Sequence, residues 1–148
     1  MGALERCFLT RERLDVGALL AEMDDPACGA LAVFVGRVRE EQEGRAVLSL
    51  GYEAYDVLAL KRMRALLSEA RMRWNLGPLL LAHRVGRLEV GEAAVLVAAT
   101  SGHRDAAFAA CAFIVSETKA KVPVWKREYY ADFGEAWVGL PPVQGVKP

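Results

Sequence analysis

The chain has 148 residues, 53% hydrophobic and 26% charged, and nineteen Lys and Arg side chains balance nineteen Asp and Glu. That length supports one domain whose core buries about 70% of the unfolded surface. The neutral balance argues against a general nucleic-acid coat, which needs a basic excess. The three cysteines, Cys7, Cys28 and Cys111, are odd in number, far apart and without a CxxC pair. This argues against a disulfide framework or a zinc site, and no metal-ligand cluster is expected.

In chain order, residues 6–10 read as a short strand. Asp15 is placed to cap a helix through Glu22, with Val16, Leu19, Leu20 and Met23 as its apolar stripe. Residues 29–35 form a continuous apolar run, which predicts a strand covered on both faces. The polar run 40–45 has no periodicity and is expected to be a mobile loop. Residues 47–55 return as a strand. Asp56 then caps a long helix over about 57–74, whose Leu60, Met63, Leu67, Ala70 and Trp74 recur on one face. Lys61, Arg62, Arg64, Arg71 and Arg73 fall largely on its other faces and read as a solvated surface.

Residues 75–78 form a turn, 79–84 a strand, 85–92 a connection with glycines at both bends, and 93–99 another apolar strand. Residues 100–105 open a helix whose segment 106–115 is apolar on every face, so that helix is expected to be buried. It ends in cations. Pro123 cannot continue it and extends Val122, and residues 124–130 alternate as a strand does. The tail beyond Leu140 is expected to be loosely ordered. The order β-α-β-β-α-β-β-α-β favours an α+β or mixed-sheet domain spanning residues 1–148. No signal peptide or membrane-spanning run is legible, and a cytoplasmic, soluble protein is expected.

Three separated places offer cations. Arg37 and Arg39 follow the first apolar strand and point the same way on an extended chain. Ser101, Gly102, His103 and Arg104 stand at a helix start, where free N–H groups and the helix dipole favour anions. Lys119 leaves the end of that helix, and Lys126 and Arg127 lie on the next strand. Plainer roles exist for each. Arg37 and Arg39 can pair with Glu40, Glu41 or Glu43, His103 can cap the helix, and Lys119 can complement the helix dipole. Together the three places suggest a pocket for a small anion such as a phosphate.

Several short stretches carry a more specific signal. They are residues 34–39 (FVGRVR), 52–55 (YEAY), 83–86 (HRVG), Gly91-Glu92, 101–104 (SGHR), and Lys119 with 123–128 (PVWKRE). In this order and spacing they resemble the large, catalytic subunit of molybdopterin synthase, the MoaE family, over about residues 29–138. Any one piece is weak; the ordered set is specific.

The resemblance implies an α/β hammerhead-like fold with a mixed or antiparallel sheet and a small additional β-subdomain. It implies a homodimer that binds, at each end, a small ubiquitin-like sulfur carrier, giving a heterotetramer. The carrier's C-terminal Gly-Gly thiocarboxylate supplies two sulfurs to cyclic pyranopterin monophosphate, forming the dithiolene of molybdopterin, with no further cofactor. The family's substrate-binding positions fall on Arg37, Val38, Arg39, His103, Arg104, Lys119, Lys126, Arg127 and Glu128, and its catalytic lysines on Lys119 and Lys126.

These residue types suit that chemistry. Arg39, His103 and Arg104 can hold a phosphate. Sulfur attack needs proton transfers and loss of oxygen as water, the work of a general acid and base. Like charge from Lys126 and Arg127 favours a neutral Lys119, whereas the helix C-terminus favours its ammonium. Two departures stand out. The loop after Arg39 is acidic, with Glu40, Glu41 and Glu43, and Gly139-Leu140-Pro141-Pro142 stands where the family's tail can supply an arginine to the neighbouring subunit. Lys147 is a candidate substitute. A rival from another class is a non-catalytic module that binds a phosphorylated ligand or short nucleic acid through the same cations. Such a module normally carries a basic excess and exposed stacking aromatics.

Overall fold

A computed structural model describes residues 3–132 and 134–138. In chain order the elements are β1 (Glu5–Thr10), α1 (Val16–Ala21), β2 (Ala30–Arg37), β3 (Glu41–Gln42), β4 (Arg45–Ala54), α2 (Asp56–Arg73), β5 (Leu79–Arg84), β6 (Gly86–Glu89), β7 (Ala93–Ser101), α3 (Arg104–Lys121), β8 (Val124–Tyr130) and β9 (Glu135–Val138). The expected loose tail after Leu140, and Lys147, lie outside the described residues.

The first sheet has the order β1-β5-β7-β2. β1 runs parallel to β5 and the other neighbours are antiparallel, so the sheet is mixed. All six residues of β5 are buried, as a central strand covered on both faces requires. One face meets α2 and α3 through Met63, Leu67, Leu79, Leu81, Val97 and Ile114. The other meets the α1 segment through Leu14, Met23, Leu80, Ala82, Leu96 and Ala98. Asp15 caps α1 as expected, its carboxylate accepting from the Ala18 N–H at 3.0 Å.

The second sheet is antiparallel, of order β3-β4-β8-β9, with β6 also paired to β4. β8 takes one edge of β4 from Val47 to Ala54, and β3 and β6 follow one another along the opposite edge. This sheet is the small β-subdomain. Its own core holds Val38, Val47, Leu50, Leu88, Ala94 and Tyr130.

The structure departs from the sequence reading in several places. Asp56 does not cap α2: it is the first helical residue, behind Tyr55 at the N-cap, which makes no side-chain capping bond. β2 is not covered on both faces: Leu31 and Val33 are 46% and 41% exposed, whereas Ala32 between them is buried. α1 is only six residues long and shields the central strands, not this edge. The expected loop 40–45 is a tight hairpin, with Glu43 at φ 49° and Gly44 at φ 79°, the two positive angles a two-residue turn requires. The connection 85–92 contains β6, which pairs with β4. Finally, α3 buries one face only, through Ala107, Ala110, Cys111, Ile114 and Thr118, and leaves Phe108 66% exposed. A sheet covers one side of a helix, and the apolar far side stays open in the protomer.

Candidate functional site

The two sheets meet at the C-terminal ends of β2 and β5. A cavity of about 760 Å³ opens there. Its walls come from Phe34 to Arg37 on β2, Arg39 beyond it, Tyr52 on β4, His83 on β5, and Ala94 and Val95 on β7. α3 adds Val115, Thr118 and Lys119, and β8 adds Val124 and Lys126. Arg37 and Arg39, Lys119, and Lys126 thus converge from three separate stretches of chain, and none of these lining residues is acidic.

Local chemistry explains how each cation arrives. The ladder between β2 and β7 slips between Gly36 and Arg37, ending regular pairing at the pocket rim. Gly36 permits the close approach, since a Cβ there would stand 2.6 Å from Val95 Cγ1. Arg39 donates to Gln42 Oε1 of the hairpin at 2.6 Å, rather than to the neighbouring glutamates. α3 stops at Val122, whose N–H still reaches Thr118 O at 3.1 Å. Pro123 then turns the chain into β8, and Lys119 and Lys126 face one cavity.

Along β8, alternate residues face opposite sides. Lys126 Nζ lies 3.4 Å from Glu128 Oε1. Glu128 is buried and its other oxygen accepts from the Tyr130 hydroxyl. That hydrogen bond, followed by burial, holds the Tyr130 hydroxyl above its usual pKa. Arg127 points the other way. It is ion-paired with Glu135 and lies 4.9 Å and 5.6 Å from the ring centroids of Trp137 and Tyr129. Val38 is a core residue, its N–H bound to Glu92 O and its carbonyl to the Gly91 N–H. Val38, Arg127 and Glu128 are therefore near the cavity in sequence but do not line it.

His103 and Arg104 are exposed at the start of α3, and the His103 side chain makes no capping hydrogen bond. Lys119 stands fifteen positions along the helix from Arg104, roughly 22 Å at 1.5 Å per residue. Within one protomer the two cationic ends do not meet.

Tyr52 and His83 line the cavity without having been singled out from the sequence as site residues. Their rings meet edge to face, with centroids 4.9 Å apart. His83 Nδ1 lies 2.7 Å from the Arg84 carbonyl oxygen. Burial holds the His83 imidazole below its usual pKa, against the smaller opposing effect of that hydrogen bond. The Tyr52 hydroxyl is raised, mainly by burial. The available signal was a histidine directly after the apolar run 79–82, within the stretches 83–86 and 52–55 that carry the family resemblance. As a whole, the cavity can hold a compact anion among fixed cations and an extended apolar ring against Phe34, Val95 and Val115.

Known proteins fit this picture. A family model described as MoaE protein matches residues 9–121. A molybdopterin synthase catalytic subunit of Oryza sativa subsp. indica is 46% identical over 125 residues, covering 84% of this chain. The chain spans 64% of the length of that rice relative. The catalytic subunit of Pyrococcus abyssi is 44% identical over 127 residues, covering 86% of this chain and 85% of its own. Among solved structures, molybdopterin synthase from Staphylococcus aureus superposes with a TM-score of 0.83 at 31% identity, covering 88% of this chain and 95% of that one. A complex of subunits 1 and 2 of molybdopterin-converting factor from Helicobacter pylori shares the fold, with a TM-score of 0.72 at 22% identity over 91% of this chain and 90% of that one.

Proposed function

The chain belongs to the MoaE protein family, and we propose that it is the catalytic subunit of a molybdopterin synthase. In this reading it converts cyclic pyranopterin monophosphate to molybdopterin. Two sulfurs arrive one at a time, each from the C-terminal thiocarboxylate of one copy of a small ubiquitin-like carrier, which leaves as an ordinary carboxylate. The observation that carries the reading is the convergence of Arg37, Arg39, Lys119 and Lys126 on one cavity whose described walls carry no acid. Arg37 and Arg39 hold the substrate phosphate through charge-assisted hydrogen bonds. Lys119 and Lys126 handle the thiocarboxylate and the proton transfers that sulfur attack requires. Glu128 serves through Lys126, to which it is ion-paired.

The separation of His103 and Arg104 from Lys119 supports a homodimer with shared sites. Arg104, Phe108, Ala112, Val115 and Lys119 recur at helical spacing along one stripe of α3. Phe108 and Ala112 are exposed there. A second copy laid antiparallel across this stripe, about a twofold axis near Ala112, brings its His103 and Arg104 to the first copy's Lys119. The carrier is the further partner, a reading supported by the two-subunit complex from Helicobacter pylori.

The test is reconstitution. The protein is mixed with a thiocarboxylated carrier and cyclic pyranopterin monophosphate, and dithiolene product is measured. Product is expected with the thiocarboxylate and none with a carrier ending in an ordinary carboxylate. A folded protein that binds the carrier yet yields no product with either would sink the proposal.

A further inference from the structure

We propose that His83 is a substrate-contacting residue that accepts a hydrogen bond from a ring N–H of the pyranopterin. This rests on the function proposed above and adds how the cavity reads the ring rather than the phosphate.

Hydrogen-bond inventory leads to His83. Arg37, Arg39, Lys119 and Lys126 can only donate. They suit a phosphate and leave the ring's N–H donors unanswered. The neutral polar groups on the wall are His83 and the hydroxyls of Tyr52 and Thr118. Thr118 donates to Ile114 O at 2.7 Å, one helical turn back, which ties its hydroxyl to α3 and leaves its oxygen as an acceptor there. The Tyr52 hydroxyl can donate or accept, and the His83 ring adds a nitrogen acceptor on the β5 side of the cavity.

His83 is held as an acceptor by its surroundings. A carbonyl oxygen only accepts, so the 2.7 Å contact with Arg84 O fixes the proton on Nδ1. The lone pair of the neutral ring is then on Nε2. The residue is 7% exposed, which disfavours the imidazolium. Tyr52 packs edge-on against the ring and fixes its plane. The groups facing it from packed elements act in the same direction. Arg37, Arg39, Lys119 and Lys126 share its cavity, and its register partners on β1 and β7 are the apolar Leu9 and Val95. The neighbouring Arg84 is engaged with Glu92 and with the Arg11 carbonyl. A neutral imidazole ringed by cations is an acceptor that the reaction's substrate can use and a bare anion cannot.

The test compares His83→Leu, which removes the acceptor, with His83→Gln, which retains a carbonyl oxygen. Binding of cyclic pyranopterin monophosphate is measured by calorimetry against inorganic phosphate, with circular dichroism as a check on folding. His83→Leu is expected to weaken the pterin about tenfold, since a buried donor is left unpaired. It should leave inorganic phosphate unchanged, and His83→Gln should recover part of the loss. On the unmodified protein, proton NMR should show the His83 titration moving to lower pH when pterin binds, because an accepted hydrogen bond opposes protonation. The chain has two histidines, and comparison with His83→Gln assigns the resonance. An unchanged or raised titration midpoint overturns the proposal, even if His83→Leu fails to fold. Equal loss of pterin and phosphate binding overturns it as well. Normal product formation by the unmodified protein, with normal pterin binding by His83→Leu, rejects the His83 role alone. Failure of the unmodified protein to bind pterin or yield product rejects both proposals.

Discussion

Lys126 Nζ stands 3.4 Å from Glu128 Oε1, two residues along the same face of β8, and the Glu128 side chain is only 2% exposed. A carboxylate this buried needs partners. Lys126 supplies one and the Tyr130 hydroxyl the other. Behind Tyr130, Arg45 lies 3.6 Å from its ring centroid and is bound to Asp132 through two hydrogen bonds. A continuous chain thus runs from the cavity wall to the far ends of β4 and β8. In the proposed function this gives Glu128 the part of aiming Lys126 without touching substrate.

Glu128→Gln should separate that role from simple packing. The amide oxygen can still accept from Tyr130, so the fold should persist. The charge opposite Lys126 is lost. Product formation is expected to fall about tenfold or more, less than the roughly 10²–10⁴-fold that losing a proton-transfer group outright costs. The loss should appear in kcat more than in KM, with a shifted pH profile. Lys126→Ala should be more severe. An unchanged kcat and pH profile in folded Glu128→Gln would show that the pair is only structural.

The shared-site reading makes a sharper demand on Arg104 and Lys119. Lys119→Ala is expected to reduce activity about 100-fold in a folded dimer, the scale of a lost general acid–base group. Arg104→Ala should mainly weaken substrate binding. When the two variants are unfolded together and refolded as a mixture, half the dimers pair one of each. One site in such a dimer combines an intact Lys119 with an intact Arg104. About a quarter of all sites are then restored, as twofold symmetry dictates. No recovery in a mixture shown by native mass spectrometry to contain the mixed dimer would overturn the shared site, because Arg104 and Lys119 would not then complete one site across the dimer.

Much of this arrangement was legible from residue pattern. The strand 79–84 and the body of the long helix stand where pattern put them, because the strand opens on an unbroken apolar run and the helix repeats its apolar residues at three-or-four spacing. Pro123 dictated the turn that lets Lys119 and Lys126 share a cavity. The alternation rule also contained the fate of Arg127, which sits on the opposite face from Lys126 and Glu128. β6 and β9 were missed because four-residue strands carry little periodicity, and pairing with β4 and β8 defines them. The open face of α3 was missed for a different reason. An apolar helix surface looks the same in sequence whether its own sheet covers it or another chain does.

His83 should also leave a mark on stability. Burial lowers its pKa in the folded state below the ordinary value of 6.5. The unfolded chain therefore binds a proton more readily than the folded one. By linkage this stability contribution is complete above about pH 6.5, the unfolded value, and is lost as pH falls from there through the folded pKa. Urea midpoints of the unmodified protein should decline over that window. His83→Gln should decline less, because it has no imidazole to protonate. Parallel pH dependence in the two proteins would rule out His83 as the source.

The cysteines provide the last prediction. A sulfur-transfer enzyme can carry sulfur on its own thiol as a persulfide, which requires an accessible thiolate. Here burial pushes the Cys7 thiol up to about 11, with Arg64 opposing only in part. Burial raises Cys111 as well, inside the face of α3 that packs on the sheet. Cys28 lies against Gly77, where a Cβ would come within 2.4 Å of its sulfur. None of the three lines the cavity that holds Lys119 and Lys126. The sulfur is therefore expected to arrive on the carrier and leave on the pterin without resting on this chain. Replacing Cys7, Cys28 and Cys111 together by Ala or Ser should retain product formation. The stability loss should come chiefly from Cys111, whose side chain fills core space. Mass spectrometry during turnover should find no added sulfur on the unmodified protein. A folded cysteine-free protein that makes no product, with a persulfide on its parent, would overturn direct transfer.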